Sequence, residues 1–420
     1  MRKRLSLVAI NVLLFLVLAE GAAVVVYYVQ HGRLFYTAET VVPPALAETS
    51  RGELSGDVLH PYFGPIHRPG VRPETNNIGF GSKQAFPFAR TSDRQFLVGI
   101  FGGSVARAFC DRGTPRLIEG LRRDPALANR EIVPLCFSHE GYKQPQQLIV
   151  LAYFLSLGQQ YDLVVNIDGF NEVALGSRSH ERGRDISMPS PIHIDPLLNL
   201  IDQATLTPPR VAALARISAY KERLNRLADR MRRNRIAAVH VALDRYYVFT
   251  MNRYQADVAA YDALPSNPPA SSVLVLTPPV KKRDSVAVVY EDIAAEWTAA
   301  SLLMHDMLSA RGVAYLHVLQ PNQYFTSRAF SSEEARVALN DTTPFKQAVS
   351  LGYPVLEQAT AALAAGEQFL DGTTAFDRER AAVYEDDCCH YTDRGYEILA
   401  DAIANRVREM KRPAAAAHVP

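Results

Sequence analysis

The sequence predicts an α/β fold: a three-layer sandwich about a central, mostly parallel five-stranded sheet, with one N-terminal transmembrane helix and a helical insertion. Three observations predict it. The segments FLVGIF (96–101), EIVPLC (131–136), DLVVNI (162–167) and VAYLHVL (313–319) are near-continuous apolar runs, the pattern of strands covered on both faces. Helical stretches and short loops separate the first three, as parallel β-α-β units with right-handed crossovers require. A chain of 420 residues, 48% hydrophobic and 21% charged, has enough apolar material for one large α/β domain.

The amino terminus stands apart. Arg2-Lys3-Arg4 precedes Leu5–Val29, about 25 mostly apolar residues, long enough to cross a bilayer as a helix. A cleaved signal peptide is the rival, with Ala19-Glu20-Gly21 as its cleavage site. The apolar run continues beyond that site, and Tyr27-Tyr28 suit an interfacial belt, so an uncleaved anchor is expected. Basic residues before the span place the remainder outside, in the periplasm of a bacterium, where disulfides are permitted. Glu20 is expected to be tolerated by snorkelling or by a partner helix.

Residues 31–91 carry Pro, Gly and aromatics without a sustained period, as in HPYFGP (60–65) and NNIGFG (76–81). They read as a strap on the domain, because a free linker would not carry so many buryable rings. Residues 92–412 form the main domain. After the first strand, Gly102-Gly103 permits a sharp reversal and delivers Ser104 to a helix running to about Arg123. Phe137–Gln147 is a loop containing Gly141, Leu148–Leu157 a helix, and the third strand ends in Asp168-Gly169-Phe170-Asn171-Glu172.

An insertion over about 174–312 is mainly helical in pattern. Leu214, Ile217, Leu224, Leu227 and Met231 share a helical face, and Arg216, Arg223, Arg226, Arg230 and Arg233 lie opposite, the pattern of a solvated face. Val239–Leu243 reads as a further strand, and Val289–Ala310 as a helix whose Trp297 belongs to the core. Gln368–Asp371 is the last strand, Thr392–Met410 the closing helix, and Pro413–Pro420 a frayed tail.

Net charge is +1, so nothing global points to nucleic acid. Cys110, Cys136, Cys388 and Cys389 show no CxxC pair and no metal-ligand spacing, so neither a zinc site nor a cofactor is expected.

Ser104 alone is weak evidence of a nucleophile, since strand–Gly–Gly–Ser–helix turns are common. It would lie at the carboxyl end of a strand, near helix N–H groups that favour negative charge. Its companion is Asp386-Asp387-Cys388-Cys389-His390, before the last helix. Asp387 and His390 are three apart, a spacing that on one turn lets the carboxylate hold the imidazole N–H and leaves the other nitrogen to take a serine proton. Gly141 offers a backbone N–H and Asn171 a side-chain amide to an oxyanion. Each block follows a strand end or precedes the last helix, so all four converge on one rim of the sheet.

The order GGS at Ser104, Gly141, GxN at 169–171 and DxxH at 387–390 resembles the SGNH/GDSL hydrolase family over most of Phe96–Met410, and its membrane-anchored bacterial members in NNIGFGS and EDDCCHYTDRGYEILA. The resemblance implies a flavodoxin-like sandwich, Ser104 as nucleophile, His390 as base and Asp387 as its support. It implies an oxyanion hole from the Ser104 N–H, the Gly141 N–H and the Asn171 amide. Gly103 stands where the family has the aspartate of GDS, and Glu172 where it has that of GxND.

The function expected is a serine-dependent acyl or acetyl esterase outside the cytoplasmic membrane, acting on an acylated small molecule, glycan or lipid. An O-acetyltransferase acting on an envelope polysaccharide and a catalytically silent membrane-anchored binding protein are the alternatives. Cys388-Cys389 flank the histidine, and a disulfide from one of them to Cys110 or Cys136 would pin it; free buried thiols are the other reading.

Overall fold

The computed structural model describes residues 2–36, 41–43, 57–70, 74–201, 208–264, 276–364 and 368–410. The expected frayed tail, 413–420, lies outside them. The chain divides into two compact units, Met1–Ser55 with Leu198–Val275, and Gly56–Leu197 with Leu276–Pro420.

The larger unit begins with a hairpin, β1 (Asp57–His60) and β2 (Gly64–His67), counting α1 (Arg2–His31) as the helix before it. Then come β3 (Gln95–Gly102), α2 (Ser104–Arg112), α3 (Thr114–Leu121), β4 (Glu131–Ser138), α4 (Gln146–Ser156), β5 (Leu163–Asp168), α5 (Phe170–Glu181) and α6 (Pro191–Ile201). The chain leaves this unit within α6, after Leu197, for α7 (Pro208–Arg233) and α8 (Ala237–Ala263). It returns for α9 (Val286–Ser309), β6 (Ala314–Leu319), α10 (Ser332–Ala338), α11 (Pro344–Ala359), α12 (Ala361–Ala364), β7 (Phe369–Asp371) and α13 (Asp393–Glu409).

The main sheet has the order β4-β3-β5-β6-β7, with every neighbouring pair parallel. Alternation along the strands separates its faces. Phe96, Val98, Ile100, Val165, Ile167, Leu316 and Val318 join a core with residues of α2, α3, α5, α9, α11 and α13. Leu97, Phe101, Leu135, Phe137 and Val164 face the other way, onto Val150, Leu151 and Phe154 of α4. On that second side Phe63, Ile66, Phe80 and Phe86 complete the cover, so the expected strap supplies part of a layer. Phe86 stacks on Phe137 at 4.1 Å between centroids, and Phe137 on Phe101 at 4.9 Å.

The single helix expected after Ser104 is two. Gly113 ends α2, and Pro115, which lacks an N–H, suits the first turn of α3.

In the smaller unit, the strand expected at Val239–Leu243 is part of α8. Its β-branched pair belongs to a longer helical pattern: Leu243, Tyr247, Met251 and Tyr254 meet Leu224, Leu227 and Met231 of α7. α1 is long and apolar enough to cross a membrane. Glu20 accepts hydrogen bonds from the Ala237 and Ala238 N–H groups at 2.6 and 2.9 Å, so the carboxylate faces the N-terminus of α8, where unpaired donors need an acceptor. Tyr27, expected at a membrane interface, is instead buried against Phe35 and His240, whereas Tyr28 is exposed.

Candidate active site

Two glycines set the turn that carries Ser104. Gly102 closes β3 at φ +139°, and a Cβ there would stand 2.1 Å from the Ile167 carbonyl oxygen. Gly103 has ordinary dihedrals, but a Cβ on it would lie 2.0 Å from Asn171 Nδ2 and 3.0 Å from the Tyr142 carbonyl oxygen. Gly103 thus lets the loop after β4 and the first turn of α5 close on the serine turn. An aspartate at this position would collide with Asn171 as it stands.

Ser104 opens α2, at the carboxyl edge of the sheet and beside the strand-order reversal, where β4 and β5 flank β3. Its Oγ lies 2.8 Å from His390 Nε2. The partner on the other side of the ring is Asp386, not the expected Asp387: His390 Nδ1 lies 2.5 Å from Asp386 Oδ2. The three-residue spacing fails because 386–390 is an irregular loop ahead of α13 rather than a helical turn. Asp386 Oδ1 accepts the backbone N–H groups of Cys388, Cys389 and His390 at 3.0, 3.0 and 3.1 Å. That wraps the chain about one carboxylate and returns the imidazole to its second oxygen. Asp387 turns away, accepting from Asn340 Nδ2 at 2.7 Å. No feature of the adjacent pair Asp386-Asp387 distinguishes the two in the sequence.

Burial opposes charge on His390, but the Asp386 bond and the nearby carboxylates of Asp386, Glu385 and Glu140 win, raising its pKa above the ordinary value. Burial likewise works against the Asp386 carboxylate, yet the His390 bond and charge and the backbone donors hold it down at about 2. Arg112, at the end of α2, bonds Asp393 at 2.6 Å and Glu385 at 2.9 Å, clamping the histidine loop to the serine helix.

Of the expected oxyanion donors, Asn171 lies in the first turn of α5 and gives one amide hydrogen to the Tyr142 carbonyl at 2.8 Å. Its amide has a second hydrogen. Gly141 precedes Tyr142 at φ +75°, in the loop after β4, and a Cβ on it would lie 2.6 Å from the His193 ring. Glu172 joins the same loops: its two oxygens accept from Gln144 N and Gly169 N, each at 2.8 Å. Burial, then Asp168, pushes the Glu172 carboxyl up. Asp168 is itself bonded to Trp297 Nε1, His317 Nε2 and Asn166 Nδ2, all at 2.7 Å, which makes Trp297 a core residue with its N–H satisfied.

The cysteines pair differently from the expected pin. Cys110 of α2 and Cys136 of β4 form a disulfide, while Cys388 and Cys389 are free thiols. Cys110 and Cys136 lie on adjacent elements of one β-α-β unit, so no link to the histidine loop is needed. Burial pushes the Cys389 thiol well up, which favours its protonated form.

No protein-family model matches the chain, and no curated protein matches it. Among solved structures it is similar to the lipase/acylhydrolase from Enterococcus faecalis, at 11% identity and a TM-score of 0.30, over 76% of this chain and 100% of that one.

Proposed function

We propose that this chain is a serine-dependent ester hydrolase, anchored by α1 and acting outside the cytoplasmic membrane. The observation that carries the reading is the unbroken relay from Ser104 Oγ to His390 Nε2 at 2.8 Å and from His390 Nδ1 to Asp386 Oδ2 at 2.5 Å. Asp386 is acceptor-only when ionised, so Nδ1 carries the proton and Nε2 is free to take the one from Ser104. The serine oxygen attacks the acyl carbonyl, and the imidazolium then protonates the leaving alcohol. Water attacks the acyl-enzyme with His390 again as base, releasing the acid and restoring the serine. The Ser104 N–H, the Gly141 N–H and the second Asn171 amide hydrogen are the oxyanion donors of this mechanism.

The extracytoplasmic location rests on Arg2-Lys3-Arg4 ahead of the apolar helix, and the Cys110–Cys136 disulfide suits an oxidising compartment. That location favours acylated envelope glycans or lipids as substrates. The test uses the full chain in detergent with a fluorophosphonate probe and a short-chain aryl ester. Labelling and turnover that both vanish in Ser104→Ala support the reading. An unlabelled wild type, or equal labelling of Ser104→Ala, overturns it and leaves a binding protein on a hydrolase-like fold.

A further inference from the structure

Beside the serine turn lies a second group of reactive side chains that the ester mechanism does not use. The strap hairpin contributes Asp57 and His67, the loop after β4 contributes His139, and α6 contributes His193. Asp57, His67 and His139 are buried, and a ligand-capable atom from each lies within 4.8 Å of the other two.

The Asp57 carboxylate faces three imidazoles. His67 Nδ1 is 2.6 Å from Oδ1, a hydrogen bond that has to open to about 3.4 Å, with loss of its hydrogen, for both atoms to share one ion. His139 Nε2 lies 3.8 Å from Oδ1, and His193 Nδ1 lies 3.6 Å from Oδ2. Both are too long for hydrogen bonds. They suit two donors sharing one ion, because metal–ligand bonds of about 2.1 Å at a tetrahedral angle hold the donor atoms about 3.4 Å apart.

The tautomer of His139 makes the case sharper. Its Nδ1 is 2.9 Å from the Glu140 carbonyl oxygen, which only accepts, so Nδ1 carries the hydrogen. In the neutral ring Nε2 then presents a bare lone pair towards a carboxylate, on a residue only 1% exposed, with no hydrogen-bond partner. An unpaired buried acceptor facing an anion is unfavourable unless that nitrogen takes up a proton or a cation lies between the two groups. An imidazole that donates one N–H to a carbonyl and aims the other nitrogen at a shared point is the arrangement that metal-bound histidines adopt.

We propose that Asp57, His67 and His139 bind one divalent first-row transition metal ion of the zinc class, with His193 at the solvent edge against Asp57 Oδ2. The donor set is imidazole nitrogen with one carboxylate, which suits zinc, cobalt or nickel better than calcium or magnesium. The ion cross-links the strap hairpin to the loop that carries Gly141, so the site belongs to the architecture around the serine rather than to the acyl steps. Its test does not depend on esterase activity.

The untagged full chain in detergent, stripped with a chelator, is titrated with zinc and separately with cobalt. One equivalent of zinc is expected to bind and raise the melting temperature. His139→Gln and Asp57→Asn are expected to weaken binding by about 100-fold, and the rim variant His193→Ala by about 10-fold with an unchanged metal-free melting temperature. Cobalt is expected to give a visible ligand-field spectrum without thiolate charge transfer, unchanged in Cys388→Ser/Cys389→Ser. That control matters because Cys388, Cys389 and His390 form a second group with close donor atoms. The proposal is overturned by uptake below one equivalent, by equal affinity in wild type and in both His139→Gln and Asp57→Asn, or by a thiolate band lost in the cysteine variant. In the first case the cluster is an ionic clamp, with His67 between Asp57 and Glu140, 3.2 Å from the latter.

Discussion

At the scale of single residues, Asp386 and Asp387 make the sharpest contrast. Asp386→Asn keeps an oxygen for the three backbone donors but loses the charge that orients and stabilises the His390 imidazolium. It is expected to lower kcat by about 10⁴-fold, whereas Asp387→Asn, facing Asn340, is expected to stay within about 10-fold of wild type. Steady-state ester hydrolysis by both variants checks this, and the reverse ranking would return the role to Asp387. The same pair predicts a pH signature. In the proposed mechanism His390 must be neutral to accept the Ser104 proton, so kcat/KM is expected to rise with pH through a value above the ordinary histidine pKa near 6.5. Removing the Asp386 charge is expected to move that limb to lower pH. Stability runs in the opposite sense: a pKa raised by folding stabilises fully below the ordinary value and fades as pH climbs through the raised one. The melting-temperature difference between wild type and Asp386→Asn is therefore expected to be larger at pH 5.5 than at pH 9.

At the scale of elements, the serine turn, the β4 loop and the α5 start are packed too closely for a side chain at 103. Gly103→Ala places a methyl where Asn171 Nδ2 lies, and is expected to reduce kcat by about 10²-fold or more by displacing the proposed oxyanion donor, with a smaller effect on KM. Unchanged kinetics would remove Asn171 from the mechanism. The β3-α2-β4 unit carries the Cys110–Cys136 bond, which closes a loop with a sequence separation of 26. On the chain-entropy view such a link stabilises by about 3 kcal/mol, so reduction or Cys110→Ser is expected to lower the melting temperature by several degrees. Non-reducing mass mapping should find that peptide pair linked, with Cys388 and Cys389 free.

At the scale of the whole molecule, one side of the sheet is finished by residues that a helix-by-helix reading treats as connection. Phe86 sits on Phe137, and Phe63 and Phe80 fill the space beside Phe154. Truncating a ring this buried typically costs about 3–5 kcal/mol, so Phe86→Ala is expected to destabilise the larger unit strongly in chemical denaturation. A change under about 1 kcal/mol would mean that the strap is a loosely laid cover.

The sequence by itself determined the α/β class, the serine turn, the histidine and the apolar N-terminal helix. Each is a local pattern: a buried strand run, a glycine pair, a length of hydrocarbon side chains. The tertiary structure decided which of two neighbouring aspartates meets His390, since backbone N–H groups closing on one carboxylate have no signature in residue type. It also decided that Cys110 pairs with Cys136, that a β-rich run lies inside α8, and that Asp57, His67 and His139, scattered over 83 positions, share one buried space. Contacts between distant segments depend on how sheet faces and loops are stacked, and no spacing along the chain records that.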